Sequence, residues 1–307
     1  MTSTLSGRGA NTRPARPARR RGAAVGLLFI APAFIGLLAL YLIPLVRTVV
    51  LSLMETGPFG GGKFTGLSNY EALLSDEAFW HALRNSAIYT AIVLIGIPLA
   101  ILVSALINNA RRGRAIYRVL YFLPVVTLPV AVGMVWRYIY NGDFGLLNQF
   151  LGLFGIDGPS WVADPQVAIF AVAIVGIWMT LGTNIIILGA GMQGIPEELM
   201  EASSLDGAGP VRQFFGITLP LLSPSIFFVS VLSVISSLQM FDLIYVMIGR
   251  GSPALDGSKT IVFLFYQKAF IENDQGFGAA IAIVLLMIIM AATAIQFRLQ
   301  RRWVFYG

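Results

Sequence analysis

The sequence predicts an all-α membrane protein with six transmembrane helices and with both termini on the cytoplasmic side. Three observations support this fold class. Of the 307 residues, 57% are hydrophobic and only 12% are charged, about half of the roughly 25% charged residues usual in soluble domains. Six apolar runs are long enough to cross about 30 Å of hydrocarbon. Lysine and arginine are unevenly divided between the segments that connect these runs.

The six apolar runs define the predicted spans. Each run can cross a bilayer only as a helix, because lipid offers the backbone no hydrogen-bonding partners and no run alternates as a barrel strand does. In chain order, the predicted spans are Ala24–Val46, Ser86–Ile107, Ala115–Tyr138, Gln166–Ala190, Leu221–Ile248 and Gly278–Phe297. Prolines are expected to kink or shorten these helices at Pro32, Pro44, Pro124, Pro129 and Pro224.

The positive charges set the orientation. With the N-terminus inside, the cytoplasmic segments hold 14 of the 21 lysines and arginines, in agreement with the positive-inside rule. An even number of spans then places the C-terminus inside as well. Residues 1–22, rich in Arg, Pro, Gly and Thr, are predicted to form a disordered basic cytoplasmic tail, and residues 23–307 a single transmembrane domain. Arg137 falls near an outer helix end, where it can snorkel towards water.

Several classes of function are excluded by the residue types present. The chain has no cysteine and one histidine, His81, which removes thiolate nucleophiles, Cys-based metal sites and paired His ligands. We therefore expect no catalytic residue, no metal site and no cofactor held by this chain. The net charge of +6 does not indicate a nucleic-acid partner, because the basic residues flank apolar runs; their partner is the lipid bilayer.

The cytoplasmic segment between the fourth and fifth spans, residues 191–220, has the pattern of a helix–turn–helix and is called the elbow below. Pro196 suits the first position of a helix, and the acidic residues after it oppose the positive end of the helix dipole. Gly207 can adopt the positive φ that ends a helix. Pro210 can then begin a second short helix, which Pro220 helps to end.

The elbow also resembles the "EAA" coupling loop of bacterial ATP-binding-cassette importer permeases. The matching pattern is Glu-Ala-Ser at 201–203, three residues, Gly207, nine residues, and Ile-x-Leu-Pro at 217–220, with Ser203 where a second alanine is usual. Further stretches are similar to the carbohydrate branch of these permeases, of the maltose and glycerol-phosphate types: Gln239–Asp242 with Tyr245, Asn273–Ala282 and Arg302–Gly307. The resemblance covers nearly the whole chain after residue 22 and implies the transmembrane domain of a type I importer.

The resemblance implies how the elbow is used. In that family the loop docks in a groove on a cytoplasmic ATPase subunit, which binds ATP and Mg²⁺, and transmits its closure to the helices. The residues that would couple this chain to the ATPase are Glu201, Ala202, Ser203, Asp206, Gly207, Ile217 and Pro220. Further implied partners are a second, similar permease subunit, a second ATPase copy and an external solute-binding protein, all at the bacterial cytoplasmic membrane. The alternative is an amphipathic surface helix that merely connects two spans.

Polar residues inside the fourth and fifth spans mark the expected solute path. A charge at the centre of a span costs about 2.5–3.5 kcal/mol, so Asp242 is expected to face a cavity or a partner. Gln239 and Tyr245 lie three residues to either side and are expected to share its helical face. The maltose-type resemblance places solute contacts near Gly182, Asn184, Phe241, Asp242 and Tyr245. The alternative is that Asp242 and Asn184 hydrogen-bond to neighbouring helices.

These expectations define a permease subunit of an ATP-driven importer. The expected solute is a sugar or oligosaccharide, and the alternative solute is a glycerol phosphate ester; an acidic Asp242 in the path favours a neutral sugar over an anion. Two rival interpretations stay open. An ion-coupled secondary transporter would need several buried carboxylates, and a non-transporting membrane scaffold would need no polar cavity.

Overall fold

Helices make up most of the part of the chain that the computed structural model describes, residues 18–57, 62–109 and 114–305. In chain order the α-helices are α1 (Ala18–Leu37), α2 (Ile43–Ser52), α3 (Ser68–Ser75), α4 (Glu77–Asn109), α5 (Arg114–Val126), α6 (Pro129–Ile139), α7 (Leu146–Gly152), α8 (Ala168–Gln193), α9 (Glu197–Leu205), α10 (Pro210–Gln213), α11 (Leu219–Leu221), α12 (Ser223–Leu238), α13 (Leu255–Ser258), α14 (Ile261–Tyr266) and α15 (Gln275–Gln300). Short π-helical segments occupy Leu38–Leu42, Phe214–Thr218, Ile244–Ile248 and Gln267–Ile271. The predicted all-α fold gains one small addition, an antiparallel hairpin of β1 (Met54–Thr56) and β2 (Gly62–Phe64).

The first of two compact units ends at Thr48 and contains, in its described part, α1, a π-helical segment and the start of α2. The π-helical segment Leu38–Leu42 lies just before Pro44. Because proline has no backbone N–H and its ring clashes with the carbonyl four residues earlier, a locally widened helix lets the chain continue through Pro44. The helix begins at Ala18, so residues 18–22 of the predicted tail are helical; residues 1–17 lie outside the described residues.

Helices α4 and α8 form the centre of the second unit, which begins at Val49. These two helices share a more extensive contact than any other pair of elements. The side chains buried around them are mostly aliphatic and include Tyr89, Val93, Ala171, Val172 and Val175. Near the C-terminal end of α4, the Ser104 hydroxyl donates to the Ile185 carbonyl of α8 at 3.4 Å. Helix α4 contains the span predicted at 86–107 and begins nine residues before it. Helix α8 begins two residues after the start of the span predicted at 166–190 and ends three residues beyond it.

Four helical stretches in the described residues are long and apolar enough to cross a membrane: Leu28–Ser52, Glu77–Asn108, Ala168–Gln193 and Gln275–Gln300. They correspond to the first, second, fourth and sixth predicted spans. Two further stretches qualify only as bent pairs of helices. The described structure therefore contains four candidate spans, or up to six when each bent pair counts as one.

The third predicted span, Ala115–Tyr138, is not one kinked helix but a pair of helices. The chain turns by 109° between Val119–Val126 and Pro129–Ile139. Leu128, the residue before Pro129, is extended, because a following proline disfavours the helical conformation. Pro129 then starts a new helix instead of kinking the old one. The Thr127 hydroxyl donates to the Pro124 carbonyl at 2.9 Å, which satisfies one backbone acceptor at the break.

The predicted fifth span, Leu221–Ile248, is also interrupted. Helix α12 ends at Leu238, Met240 and Phe241 are not helical, and a short helical turn follows that ends before Gly249. The break is anchored from another element, since the buried Thr260 hydroxyl donates to the Met240 carbonyl at 2.8 Å.

The stretch Ile261–Ile271 forms an apolar helical segment that the sequence analysis missed. It is too short to cross about 30 Å of hydrocarbon, so a search for runs of about 20 residues passes over it. It packs on α15 and α4, and its Ile261 and Leu264 are buried with Phe79 and Ile281. Its first residue is tied to α4, because the Ile261 N–H donates to the buried Ser86 hydroxyl at 3.0 Å.

Replacing Ser86 with alanine should therefore destabilise the fold. The substitution leaves the buried Ile261 N–H without its acceptor, which costs about 1–3 kcal/mol. We expect a lower midpoint of thermal unfolding for the detergent-solubilised chain. Ser75→Ala is the matched control, because the exposed Ser75 hydroxyl bonds only to carbonyls of its own helix. Equal midpoints for the two variants would contradict the anchoring role.

Candidate functional site

The elbow forms two helical arms joined by a tight turn. The first arm is α9; Pro196 stands one position earlier than predicted, at its N-cap, and Asp206 caps its C-terminus. Gly207 has φ +76°, a conformation that costs other residues free energy and that glycine adopts readily. The N–H groups of Gly207 and Ala208 donate to the Ser204 and Ser203 carbonyls, both at 3.0 Å. The predicted helix–turn–helix is therefore present, with Gly207 at its turn.

The second arm runs from Pro210 to Leu221 and passes through the π-helical segment Phe214–Thr218. This segment directly precedes Leu219-Pro220, so the widened helix accommodates a proline as it does before Pro44. The arm meets α12 at an angle of 64°. It ends at Leu221, one residue after Pro220.

A glutamine that the sequence analysis did not single out holds the two arms together. The Gln213 side-chain amide nitrogen lies 2.8 Å from the Ser204 hydroxyl, 3.0 Å from the Ser203 hydroxyl and 3.3 Å from the Met200 carbonyl. Both hydroxyls also donate to the Met200 carbonyl at 2.9 Å. Ser203, where the family pattern usually has alanine, thus supplies part of the bonding between the arms. The resemblance pointed to the position but gave no reason to expect a hydroxyl partner on the second arm.

Three large apolar side chains of the elbow are largely exposed, among charged ones. Leu205 is 90% exposed, Val211 72% and Phe215 61%. Of the predicted coupling residues, Glu201, Ala202, Asp206 and Gly207 are exposed, and Ser203, Ile217 and Pro220 are half-buried. Glu201 forms no ion pair with any residue that the structure describes, so Gln213, and not Glu201, joins the arms.

The end of the described chain lies beside the base of the elbow. The Phe305 N–H donates to the Ser223 hydroxyl at 3.0 Å, and the Trp303 ring lies 6.3 Å from the Phe227 ring of α12. The hairpin lies elsewhere, where the Thr56 hydroxyl accepts from the Gly276 N–H at 2.7 Å, at the start of α15. The elbow and the C-terminal residues therefore share one end of the helical unit, and the hairpin lies at the other.

Two of the predicted path residues, Gly182 and Asn184, lie on α8 and are buried. A side chain at Gly182 would overlap the Tyr121 carbonyl of α5 and would come within 2.7 Å of the Val125 side chain. Close approach of α5 to α8 therefore accounts for a glycine at this position. Solute contact at Gly182 and Asn184 stays a prediction.

Asp242 lies just past the break in the fifth span and is exposed. Gln239 ends α12 before the break, so the expectation that Gln239, Asp242 and Tyr245 share one helical face is wrong. The reason is the non-helical backbone at Met240 and Phe241, which rotates the following turn relative to α12. Asp242 forms no ion pair within the described part of the chain, and its exposure leaves it open to a solute or a partner.

Phe241 and Tyr245 belong to an aromatic group that the break assembles. Their rings stack at 5.3 Å between centroids, and Tyr266 lies 5.0 Å from Phe241 and 5.6 Å from Tyr245. Arg250 lies over the rings of Tyr245 and Tyr266, at 5.6 and 5.2 Å from their centroids. Its guanidinium also donates to both hydroxyls, to that of Tyr245 at 3.4 Å. Tyr266 and Arg250 were missed because their approach depends on the fold of residues 239–266.

Residues 92–305 match the model of a family described as the binding-protein-dependent transport system inner membrane component. The chain belongs to this family. It is the permease subunit of an ATP-binding-cassette importer, as the sequence predicted, and a multi-pass protein of the cytoplasmic membrane. The elbow and the interrupted fifth span both lie inside the matched region.

Named relatives resemble the permease over most of its length. The arabinooligosaccharides transport system permease protein AraP of Halalkalibacterium halodurans is 35% identical and covers 89% of this chain and 86% of its own. The sn-glycerol-3-phosphate transport system permease protein UgpA of Agrobacterium fabrum is 32% identical and covers 91% of this chain and 96% of its own. A chain in the crystal structure of a bacterial alginate importer, in complex with an alginate pentasaccharide-bound periplasmic protein, superposes with a TM-score of 0.83. It is 20% identical, covers 94% of this chain and 97% of its own, and shows the same fold.

The packing of Gly182 can be tested separately from transport. Gly182→Ala should destabilise the permease, because overpacking against a backbone carbonyl costs about 1–3 kcal/mol. We expect a lower thermal midpoint of the purified permease. Gly189→Ala on the same helix is the control, since the added carbon would meet only the Ser104 hydroxyl, at 3.3 Å, and no backbone atom. A Gly182→Ala permease with unchanged stability but altered solute preference would instead place Gly182 in the path.

Proposed function

We propose that this permease carries a sugar or oligosaccharide inward and receives energy through its elbow from a separate cytoplasmic ATPase. In this proposal the chain crosses the membrane six times, with both termini and the elbow in the cytoplasm. The position of the C-terminal residues beside the elbow supports this topology, as do the 14 lysines and arginines in the segments assigned to the cytoplasm. The observation that carries the proposal is the elbow, an internally bonded helical pair with exposed apolar side chains.

The elbow has the properties of a docking element. Exposed Leu205, Val211 and Phe215 offer apolar area whose burial is worth about 25 cal/mol per Å². The hydrogen bonds from Gln213 to the first arm hold both arms in one arrangement, so a displacement of α9 is passed to α12 through the second arm. A helix that merely connects two spans has no need of this bonding. The ATPase would bind ATP and Mg²⁺, and Glu201 and Asp206 would be free to meet basic groups on it.

The assembly would contain more than this chain. We infer a second, homologous permease subunit, two copies of the ATPase and an external solute-binding protein. The periplasmic protein in the alginate importer structure supports the last of these, and the family's own description refers to binding proteins. The interrupted spans support a solute path between helices, because non-helical backbone at membrane depth is tolerated where it lines a cavity or is buried in protein.

The aromatic group beside Asp242 favours a sugar as the solute. The stacked rings of Phe241 and Tyr245 can lie against the apolar face of a pyranose, and the exposed Asp242 carboxylate can accept hydrogen bonds from hydroxyl groups. The relative AraP is named for arabinooligosaccharides, which agrees with this choice. A glycerol phosphate ester is the second candidate, because the relative UgpA is named for sn-glycerol-3-phosphate.

Gly207 tests the elbow. Gly207→Val forces a β-branched residue into a left-handed conformation, at a cost of about 1–3 kcal/mol. The turn should rearrange, and ATP-dependent uptake in proteoliposomes that contain the assembled importer should fall by about tenfold, since 1.4 kcal/mol corresponds to a factor of ten. The rate of ATP hydrolysis should then no longer be coupled to the rate of uptake.

The control for the elbow is Gly216→Ala, which lies in the second arm with open space around it and an ordinary φ. It should transport as the wild type does. Normal ATP-coupled uptake by Gly207→Val would remove the mechanical role of the elbow. Uptake that depends on a proton or sodium gradient, and not on ATP, would favour a secondary transporter.

Asp242 tests the solute path. Asp242→Asn keeps the volume but removes the charge, and charge-assisted hydrogen bonds contribute about 1.5–3 kcal/mol. The sugar concentration for half-maximal uptake should therefore rise by about tenfold or more. Asp256→Asn is the control, because Asp256 is exposed and pairs only with Lys259, at 3.3 Å. A Asp242→Asn importer with unchanged concentration dependence would show that Asp242 does not contact solute.

A further inference from the structure

A cavity of about 550 Å³ lies beside the aromatic group, at the end of the helical unit away from the elbow. Two arginines, Arg137 of α6 and Arg250, line it together with Asn141 and Ser252. Met247 and Ile248 form part of its apolar wall. No aspartate or glutamate of the described chain lines it. The cavity therefore combines positive charge with polar neutral groups.

Neutral partners hold both guanidinium groups in place. Arg250 bonds to the hydroxyls of Tyr245 and Tyr266 and lies over their rings, and Arg137 donates to the Val246 carbonyl at 3.4 Å. Neither arginine forms an ion pair with a residue that the structure describes. Each guanidinium carries five N–H donors, so donors remain beyond these bonds. The two side chains are positioned by their neighbours without being neutralised.

The acidic residues nearest in the sequence do not compensate this charge. Asp143 and Asp164 follow lining residues, but neither lines the cavity, and the Asp164 carboxylate accepts from the Gln166 N–H at 2.8 Å. Asp242 forms no ion pair with either arginine. Two guanidinium groups that share one cavity repel each other unless an anion lies between them. Arginine binds carboxylate and phosphate oxygens through paired N–H groups, which makes these the matching anions.

We propose that this cavity binds the carboxylate or phosphate group of an anionic sugar on its way into the permease. The inference rests on the proposed function and narrows its substrate class. Tyr245 connects the two sites, because its ring stacks on Phe241 and its hydroxyl accepts from Arg250. A sugar ring on the aromatic group thus has its charged substituent within reach of the arginines. An anionic sugar would differ from the neutral sugar expected from the sequence, an expectation that rested on Asp242 alone.

Binding to the full-length permease in phosphatidylcholine nanodiscs tests the proposal. The probes are trigalacturonate and its neutral counterpart galactotriose, with inorganic phosphate as a competitor. We expect the wild type to bind trigalacturonate more tightly than galactotriose, and phosphate to compete. Arg250→Gln and Arg137→Gln should each weaken trigalacturonate binding by about tenfold. Arg137→Gln, whose bond is to the Val246 carbonyl and not to the aromatic group, should leave galactotriose binding unchanged. Arg84→Gln, an exposed arginine away from the cavity, is the charge-matched control.

Three results would overturn the proposal. In the first, Arg250→Gln and Arg137→Gln bind trigalacturonate as the wild type does; in the second, Arg84→Gln weakens binding equally, which would mean non-specific attraction. In the third, the wild type binds trigalacturonate more tightly than Arg250→Gln in phosphatidylcholine nanodiscs but equally in phosphatidylglycerol nanodiscs, where surface repulsion acts on both alike, which would assign the cavity to a lipid headgroup. Measuring ATP-coupled uptake of a neutral sugar by the assembled importer distinguishes a failure of the anion site from a failure of the proposed function. If that uptake persists when anion binding fails, the proposed function stands and only the anion site is lost.

Discussion

A backbone in contact with lipid must satisfy its hydrogen bonds within the protein, and this constraint organises the whole permease. Where the chain is regular, as along most of α4 and α8, the backbone hydrogen bonds form within each helix, and the two helices pack together at the centre. Where the chain breaks, another group takes over: the Thr127 hydroxyl at the turn before Pro129, and the Thr260 hydroxyl at Met240. π-helical segments serve the same need before Pro44 and Pro220. Each of these breaks in the helices therefore lies where a hydroxyl group or a π-helical segment compensates for the lost backbone hydrogen bonds.

The two features to which we assign roles in transport lie at these irregular places. The interruption at Met240 and Phe241 turns the chain so that Phe241, Tyr245 and Tyr266 meet, and Arg250 lies over the two tyrosine rings. The second irregular region is the elbow, where Gly207 reverses the chain and Gln213 ties the arms together. In the proposed mechanism, a force on the first arm would reach α12 through the second arm, and α12 ends at the aromatic group. Helix α12 thus connects the elbow to the proposed solute path.

The long helices could be predicted well from the sequence, because a long apolar run in lipid can satisfy its backbone hydrogen bonds only as a helix. The sequence also located the elbow, since Gly207 and Pro210 constrain the backbone wherever they stand. It failed where the outcome depended on partners distant in sequence. From the sequence, Pro129 could either kink a helix or start a new one. The segment Ile261–Ile271 was too short to be recognised as a membrane span. The bonds of Gln213 and the position of Arg250 over two tyrosines follow from the folded chain, and no spacing rule encodes them.

We propose that the elbow faces the cytoplasm and is bound there by an ATPase. The chain contains no cysteine, so a single Leu205→Cys substitution at a 90% exposed position gives a label site without background. The most direct measurement is its reaction with a membrane-impermeant maleimide in inside-out and right-side-out vesicles. Under this proposal, labelling occurs only in inside-out vesicles and slows once the ATPase subunit is bound. Labelling in intact right-side-out vesicles, or a rate indifferent to the ATPase, would contradict it.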